Sequence, residues 1–406
     1  MYMHINYLQI AMYWKQSSLV IAIFALFSQV GSQERLQHLA KANNKLCFSL
    51  LKTFPAEKNA FFSPVSINTA LAMAYGAARG KTAEQMSHVL RYNEIGANKE
   101  TVHRNFASLI NLLDNGSDEY KLKIANAIVS QGDYKILPEY RELLQRNYKA
   151  LLKEVDFARN NGRAVEDINN WVSQKTNGKI SSMVQSLSTL TRMILLNAIY
   201  FKGIWKKTFD VDATKNETFL NYGVQRAAVP MMNMKETFPY ADFQDEGFRA
   251  LELPYKGEDI GMVIVLPNAM DGLNKLVNEI DVDKLQDIFS NLTPRKVNIK
   301  LPKFKMEDFR ELKQSFQSLG MRDAFNGEAD FSGISGKRDL HVSSILHKAV
   351  IEVNEEGSEA AAATGILSVV RTRSFTSNFF VNRPFLFFIR DRRTDMILFA
   401  GRINKL

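Results

Sequence analysis

The chain has a single cysteine and only ten prolines among its 406 residues. With one cysteine, Cys47, an internal disulfide is excluded, and the compartment is left open. Cys47 falls on a predicted helix, where we expect a buried small apolar side chain rather than a reactive thiol. Linker-like tracts, long charge runs and internal repeats are absent. Because 46% of the residues are hydrophobic, we predict one large domain.

Motifs of enzymes and of metal sites are also missing. The six histidines include no pair with the H-E-x-x-H spacing of a zinc site. Neither G-x-S-x-G nor G-x-G-x-x-G occurs. Residues 76–82 (GAARGKT) have three residues between their glycines where a phosphate-binding loop needs four, and they follow a helix-like apolar run. We interpret this segment as a helix end, and the sequence indicates no enzyme, metal or cofactor.

The first 32 residues have the pattern of a secretory signal peptide. Lys15 precedes an apolar run over residues 19–27, and the segment 30–32 (VGS) offers small residues for cleavage. This run is too short to span a bilayer, so we expect cleavage after Ser32 and no membrane anchor. A buried N-terminal helix is the alternative. Translation that starts at Met12 is also plausible, in which case residues 1–11 would not belong to the protein.

Three N-glycosylation sequons agree with secretion. They begin at Asn115, Asn216 and Asn291, and Pro294 makes the last of them the poorest acceptor. The formal net charge is +9, and basic residues are dense near the C-terminus, at Arg371, Arg373, Arg383, Arg390, Arg392, Arg393, Arg402 and Lys405. Such density predicts either ordinary solvated charge or a site for a heparin-like sulfated polysaccharide.

Hydrophobic periodicity divides the chain into a helix-rich front and a strand-rich back. Helical patterns cover residues 36–54, 101–113, 138–148 and 165–172, and Asn177 and Gly178 form a helix stop. Strand patterns cover residues 122–124, 193–201, 261–266, 297–301 and 348–354. Two final strands, 385–390 and 396–402, flank a turn. The pattern is typical of an α+β fold.

The most informative segment is residues 355–365 (EEGSEAAAATG), which follows the strand pattern of 348–354. It lacks proline, which would remove a hydrogen-bond donor from a sheet. It also lacks charge and bulk at alternate positions, which would obstruct a buried face. That alternate set is Ser358, Ala360, Ala362, Thr364, Ile366, Ser368 and Val370. The pattern predicts an exposed loop that is able to enter a sheet with one face buried.

Five segments together resemble the serpin family of serine protease inhibitors. They are 59–67 (NAFFSPVSI), 196–205 (LNAIYFKGIW), 251–256 (LELPYK), the alanine-rich segment from Glu355, and 379–389 (FFVNRPFLFFI). They stand in the family's order over residues 35–406, and the whole is similar to secreted arthropod serpins, those of ticks especially. The resemblance implies one α+β domain over residues 33–406, with about nine helices around three β-sheets. It also implies a mobile reactive loop at about 357–380, which can insert into the main sheet.

The resemblance also assigns roles to residues of this chain. The hinge of the loop is Glu355, Gly357, Ser358, Glu359, Ala360, Ala361, Ala362, Ala363 and Thr364. Ser63, Ser66, Asn197 and His347 form a hydrogen-bonded cluster where the sheet must open, so His347 is expected to be a structural latch rather than a catalytic base. Lys303 and Glu355 are expected to form a buried ion pair beside Trp205, at the top of the sheet.

The function implied is inhibition of trypsin-like serine proteases by covalent trapping of the acyl-enzyme as the cleaved loop inserts. The family's spacing of sixteen residues from Glu355 reaches Arg371, so the reactive bond is Arg371–Thr372, with Arg373–Ser374 as the competing register. We expect a secreted monomer with no nucleic-acid or membrane partner. A non-inhibitory carrier or chaperone is the alternative. The helical segment 101–113 carries only His103 and Arg104 as basic residues, unlike the heparin-binding helix of some relatives.

Overall fold

The computed structural model describes residues 33–114, 120–356 and 376–406. Ten α-helices occur in these ranges: α1 (33–53), α2 (Pro64–Ala77), α3 (Gly80–Val89), α4 (Lys99–Asp114), α5 (Pro138–Tyr148), α6 (Asn161–Lys175), α7 (Leu273–Glu279), α8 (Val282–Asn291), α9 (Lys313–Ser318) and α10 (Ser332–Ser335). None of these helices has both the length and the apolar character that crossing a bilayer requires.

Fourteen β-strands accompany these helices in the described ranges. They are β1 (Ala60–Phe62), β2 (Tyr120–Gln131), β3 (Leu151–Val155), β4 (Met193–Gly203), β5 (Lys215–Asn221), β6 (Gln225–Phe243), β7 (Phe248–Pro254), β8 (Ile260–Pro267), β9 (Thr293–Pro302), β10 (Phe304–Glu311), β11 (Val342–Val353), β12 (Ser377–Phe380), β13 (Phe385–Asp391) and β14 (Met396–Ile403). The predicted α+β class is confirmed.

The strands form a five-stranded sheet and a larger assembly that the long strand β6 divides in two. The five-stranded sheet has the order β10-β11-β4-β2-β3. In the larger assembly β5 pairs with the first part of β6, β9 pairs with its middle, and β7 pairs with its last four residues. Counting the two parts of that assembly separately gives three sheets, as expected.

The central strand of the five-stranded sheet, β4, is buried on both faces, which explains its apolar sequence. In β4, Leu195, Ile199 and Phe201 join the main core on the side of α2. The alternate residues Leu196 and Ala198 join a second cluster that includes Ile168 and Val172 of α6. A strand covered on both sides has no polar face, so residues 193–201 form an almost continuous apolar run.

Several local predictions are confirmed. Cys47 lies in α1 and is fully buried, and burial raises the pKa of its thiol well above the usual value. The segment 76–82 contains the end of α2 and the start of α3, where Gly80 has φ +49°. Asn177 and Gly178 follow α6 with positive φ, as the predicted helix stop requires.

Three of the basic residues near the C-terminus lie inside the fold, and the expectation of a site for a sulfated polysaccharide stays a prediction. Arg383, Arg390 and Arg402 are buried. Arg390 forms ion pairs with Glu252 and Asp395, and Nε of Arg402 donates to the carbonyl of Lys58. These guanidinium groups hold strands and loops together, so they are not available to a sulfated polysaccharide.

Candidate functional site

Strands β4 and β11 meet along a parallel seam at the centre of the five-stranded sheet. Their register runs from Met193 opposite Val342 to Phe201 opposite Ile351, with a shift near Val342. Beyond β11 the chain reaches Glu355 and Glu356, where the described range ends just before the alanine-rich segment. The alanine-rich segment, which the residue pattern predicts to enter a sheet, therefore follows directly after one of the two strands that form the seam.

A hydrogen-bonded cluster lies beneath this seam. His347 of β11 and Asn197 of β4 are direct cross-strand partners, and Nδ1 of His347 is hydrogen bonded to Oδ1 of Asn197. The amide of Asn197 donates to Oγ of Ser66 in α2. Nε2 of His347 accepts a hydrogen bond from the backbone N–H of Ser63 at 3.2 Å. The structure thus brings together all four residues that the sequence assigned to this cluster, and their role stays a prediction.

Ser63 also fixes the start of α2 beneath the sheet. Its hydroxyl donates to the carbonyl of Leu398 at 2.7 Å and accepts from the backbone N–H of Ser66 at 3.2 Å. Ser63 is the N-cap of α2, and Pro64 occupies the first helical position, where a missing N–H costs nothing. The Ser-Pro-Val-Ser sequence therefore anchors the helix end to which both sheet residues bind.

The contacts of His347 define its tautomer and its charge. Since Asn197 Oδ1 accepts from Nδ1 and Nε2 accepts from Ser63, the ring is neutral with its proton on Nδ1. Burial lowers the pKa of His347 to about 3, helped by the positive charge of Arg310. A protonated Nε2 would face the N–H of Ser63 instead of accepting from it. The ring is a hydrogen-bonding bridge between strands and helix, without a nucleophile to activate.

The cluster has a fifth member that the sequence analysis missed. Asn126 of β2 lies opposite Asn197 in the antiparallel register, and its Oδ1 accepts from the Asn197 amide. Ser66 Oγ lies 3.4 Å from the same oxygen. Asn126 is the one polar residue in the apolar run from Ile124 to Val129, which is the signal that could have revealed it. The network spans three neighbouring strands at one level.

Trp205 closes the upper end of the seam. It is 3% exposed, and its ring stacks on Tyr255 with centroids 4.4 Å apart. Its Nε1 donates to the carbonyl of Asn354 at 2.9 Å, and its backbone N–H donates to the carbonyl of Glu356 at 3.3 Å. The segment that follows β4 thereby holds the chain where it leaves β11.

Glu355 lies beside this contact with its carboxylate shared between two donors. Lys303 Nζ is 2.9 Å from Oε2, and Thr214 Oγ1 donates to Oε1 at 2.9 Å. Burial acts to raise the pKa of Glu355, but the hydrogen bonds from Lys303, the backbone and Thr214 and the charge of Lys303 hold it below its ordinary value. The expected ion pair is present, but only its acid is buried. The Lys303 side chain is 45% exposed, so we correct the expectation of a buried pair.

The remaining predicted sites fall mostly outside the described residues. These are the signal segment 1–32, Asn115, the hinge from Gly357 to Thr364, and both candidate reactive bonds, Arg371–Thr372 and Arg373–Ser374. Of the sequons, Asn216 lies exposed on β5 and Asn291 lies exposed at the end of α8. In the ranges that the structure covers, no group of three metal-ligating side chains comes together.

Comparison with known proteins identifies the family to which this fold and this seam belong. The family model described as "Serpin (serine protease inhibitor)" matches residues 41–406, and the chain belongs to the serpin family. It is thus a member of a family of protease inhibitors and not an enzyme.

Individual relatives cover almost the whole chain. The chain is 40% identical over 396 residues to Iripin-8 of Ixodes ricinus, covering 96% of this chain and 98% of that protein. It is 38% identical over 380 residues to the leukocyte elastase inhibitor of Bos taurus, covering 91% and 100%. The crystal structure of uncleaved ovalbumin matches with a TM-score of 0.83 at 30% identity, covering 91% of this chain and 100% of that one.

Proposed function

We propose that this serpin is a secreted inhibitor of trypsin-like serine proteases that acts as a suicide substrate. The protease attacks the exposed loop with its active-site serine and forms an acyl-enzyme. The cleaved loop then enters the sheet and carries the protease with it. Displacement of the catalytic groups stalls hydrolysis of the ester, because small misplacements in an active site cost large factors in rate.

The seam between β4 and β11 carries this proposal. In the described residues the two strands are hydrogen-bonded neighbours, so the central position is not occupied by another strand. A strand that enters there gains main-chain hydrogen bonds on both sides and buries its alternate side chains. The alternate positions of the segment after Glu356 are small or apolar and uncharged, which suits this entry.

The target class follows from the reactive bond. The spacing from Glu355 selects Arg371, and an arginine at this position suits proteases whose specificity pocket holds an acid, as that of trypsin does. Arg373 remains the alternative. Two relatives support inhibition itself, since one is the leukocyte elastase inhibitor of Bos taurus and the other is intracellular coagulation inhibitor 2 of Tachypleus tridentatus.

Secretion is proposed on the N-terminal pattern and the sequons. Asn216 and Asn291 are exposed, as an asparagine that carries an N-linked glycan must be. The side-chain amide of Asn291 also donates hydrogen bonds to Asp287 within α8. Expression in insect cells should deliver the protein to the medium with an N-terminus at Gln33. A glycosidase that removes N-linked chains should increase its mobility on a gel. Retention of an uncleaved chain inside the cells would contradict secretion.

Incubation with trypsin tests the inhibitory mechanism directly. The mixture should contain a complex that survives boiling in SDS, because an ester joins the two chains. Trypsin whose active-site serine has been blocked beforehand is the control, and it should give no such band. Cleaved inhibitor without a complex would exclude trapping of trypsin, and the same result across a panel of trypsin-like proteases would favour the carrier or chaperone function.

A further inference from the structure

A solvent-open cavity lies beside strands β2 and β3 of the five-stranded sheet, and its inner wall reaches the hydrogen-bonded cluster at Ser66 and Asn126. It has a volume of about 780 Å³, which lies within the range of small-molecule sites, roughly 300–1,000 Å³. Helices α2, α4, α5 and α6 contribute side chains to its lining. Strand β3 pairs only with Ala127–Gln131 of β2, so the preceding residues of β2 border the cavity with an edge that β3 does not cover.

The walls of the cavity are mainly aliphatic. They include two turns of α4, one side chain of α5 and the start of β3: Leu109, Ile110, Leu113, Leu144, Leu151 and Leu152. Leu151 is 46% exposed, an unusual exposure for a large apolar residue at the start of a strand. An apolar ligand would remove this surface from water, which is favourable in proportion to the area covered.

Cations dominate the charged groups that line the cavity. Arg141, Lys149 and Lys175 line it, whereas Asp114 is the one lining carboxylate among the described residues. Asp114 pairs with Lys149 at 2.6 Å, and Arg141 pairs with Glu154. Lys175 forms no ion pair with any residue that the structure describes. An anionic head group therefore meets a rim of net positive charge.

Trp171 adds a polar donor to the same wall. It precedes Lys175 by four residues in α6, so the two side chains lie on one face of the helix. Its Nε1 is buried and has no hydrogen-bond partner among the described residues, an arrangement that normally needs an explanation. Trp171 and Lys175 both line the cavity, so a ligand that binds Lys175 lies beside the indole ring.

We propose that this cavity, which we call the α4–α6 cavity, binds an amphipathic carboxylate, namely a free long-chain fatty acid. The acyl chain lies along the aliphatic walls, and the carboxylate binds Lys175 and Lys149. The combination of an open aliphatic trough with several cations on one rim matches an anion with an apolar tail. It does not match a uniformly polar anion such as a sulfated sugar, for which the aliphatic walls offer no partner.

A fluorescent fatty acid tests the proposal on the full-length purified protein. cis-Parinaric acid should bind at micromolar concentration, and its fluorescence emission should increase. Excitation energy should also be transferred from tryptophan to the bound probe. Replacement of Trp171 by phenylalanine should remove most of the transfer but retain the emission excited directly. Oleate should displace the probe, whereas oleyl alcohol, which lacks the charge, should displace it much less well.

Matched variants locate the site. The double variant Lys149→Gln, Lys175→Gln should raise the dissociation constant by about tenfold or more, because two rim cations are lost. Arg104→Gln, Arg146→Gln removes the same charge from exposed positions of α4 and α5 outside the cavity, and it should bind normally. Leu151→Trp, which fills the cavity from an exposed position, should also weaken binding.

Three results would overturn the proposal. They are an absence of probe binding below the concentration at which the fatty acid forms micelles, equal displacement by oleate and oleyl alcohol, and equal weakening in the cavity and control variants. Circular dichroism of each variant separates loss of binding from loss of fold. None of these measurements depends on protease inhibition, so the outcome stands apart from the proposed function.

Discussion

His347 and Asn197 lie opposite each other on β11 and β4, and a hydrogen bond joins their side chains across the seam. A strand that enters between β4 and β11 must separate the two residues and break this bond. The same two residues are tied to α2 through Ser63 and Ser66. Insertion of a strand at this seam would therefore cost the hydrogen bonds that join the two residues, each worth about 1 kcal/mol net.

The first prediction concerns the pH dependence that His347 gives to the fold. Its pKa is about 3 in the folded state and about 6.5 in an unfolded chain. Between these values the unfolded state binds more protons, so the free energy of unfolding falls as the pH is lowered, by up to about 1.4 kcal/mol per pH unit. Above about pH 6.5 this residue contributes no slope.

Urea unfolding between pH 4 and pH 8 measures this slope. His347→Gln should reduce it in the acidic part of the range, although the variant also loses stability at neutral pH because the cluster is disturbed. His88→Gln changes an exposed histidine of α3 and is the control. An unchanged slope in His347→Gln would show that the ring is not held neutral in the folded protein.

The second prediction concerns Lys303, the exposed partner of the buried Glu355. Lys303→Met should lower the free energy of unfolding at pH 7 by about 1 kcal/mol, because the carboxylate keeps Thr214 but loses a charged donor. Since the pair lowers the pKa of Glu355, its stabilisation is present above the unfolded pKa of glutamate, about 4.3. It is lost as the pH falls through the lower folded value.

Wild-type and Lys303→Met protein should therefore differ at pH 7 and converge in strong acid. Lys305→Met removes another exposed lysine two residues away and should have little effect. If the upper contact restrains the sheet, Lys303→Met should also form polymers faster on heating, as native gels would reveal. Equal behaviour of the two lysine variants would argue that the pair contributes nothing measurable.

The sequence predicted the strands whose residue pattern reflects burial of the strand itself. It missed strands whose existence depends on which other strands they pair with. Residues 193–201 were recognised because burial on both faces leaves a continuous apolar run. Strand β6 was missed because Pro230 and Pro239 interrupt it, and prolines disfavour central strands. Both prolines are tolerated in a strand that changes partners along its length, which only the tertiary structure reveals.

The site shows the same division. The resemblance placed Ser63, Ser66, Asn197 and His347 together because their motifs are local and distinctive. Asn126 escaped notice because a single asparagine between alanines has no partner in the sequence and acquires one only through the β2–β4 register. The burial of Arg383, Arg390 and Arg402 was likewise hidden, since charge density along a chain does not state which side chains reach the surface.

The third prediction tests which face of the loop is buried on insertion. Ala362 belongs to the alternate set without charge or bulk, whereas Ala361 belongs to the opposite set. Ala362→Arg should slow insertion, because it buries an unpaired charge. Trypsin should therefore cleave this variant and escape more often than it is trapped in a complex. Ala361→Arg is the matched control and should trap nearly as well as wild type. The reverse order of the two variants would show that the opposite face is buried.

The last prediction concerns the reactive bond. Arg371→Ala should lower the rate of trypsin inhibition by tens to thousands of fold, because loss of one partner of a charge pair costs about 2–5 kcal/mol and each 1.4 kcal/mol is about tenfold. Arg373→Ala is the matched control, since it removes the same side chain two residues away and should retain most inhibition.

Mass spectrometry of the C-terminal fragment, freed from the complex by denaturation, gives an independent answer, because both variants also change the charge of the loop. Cleavage after Arg371 yields a C-terminal fragment that begins at Thr372, whereas cleavage after Arg373 yields one that begins at Ser374. The fragment should begin at Thr372 in the wild-type protein and in Arg373→Ala. A fragment that begins at Ser374, together with unimpaired inhibition by Arg371→Ala, would transfer the reactive bond to Arg373 and would show that the spacing from Glu355 is longer here than the family pattern implies.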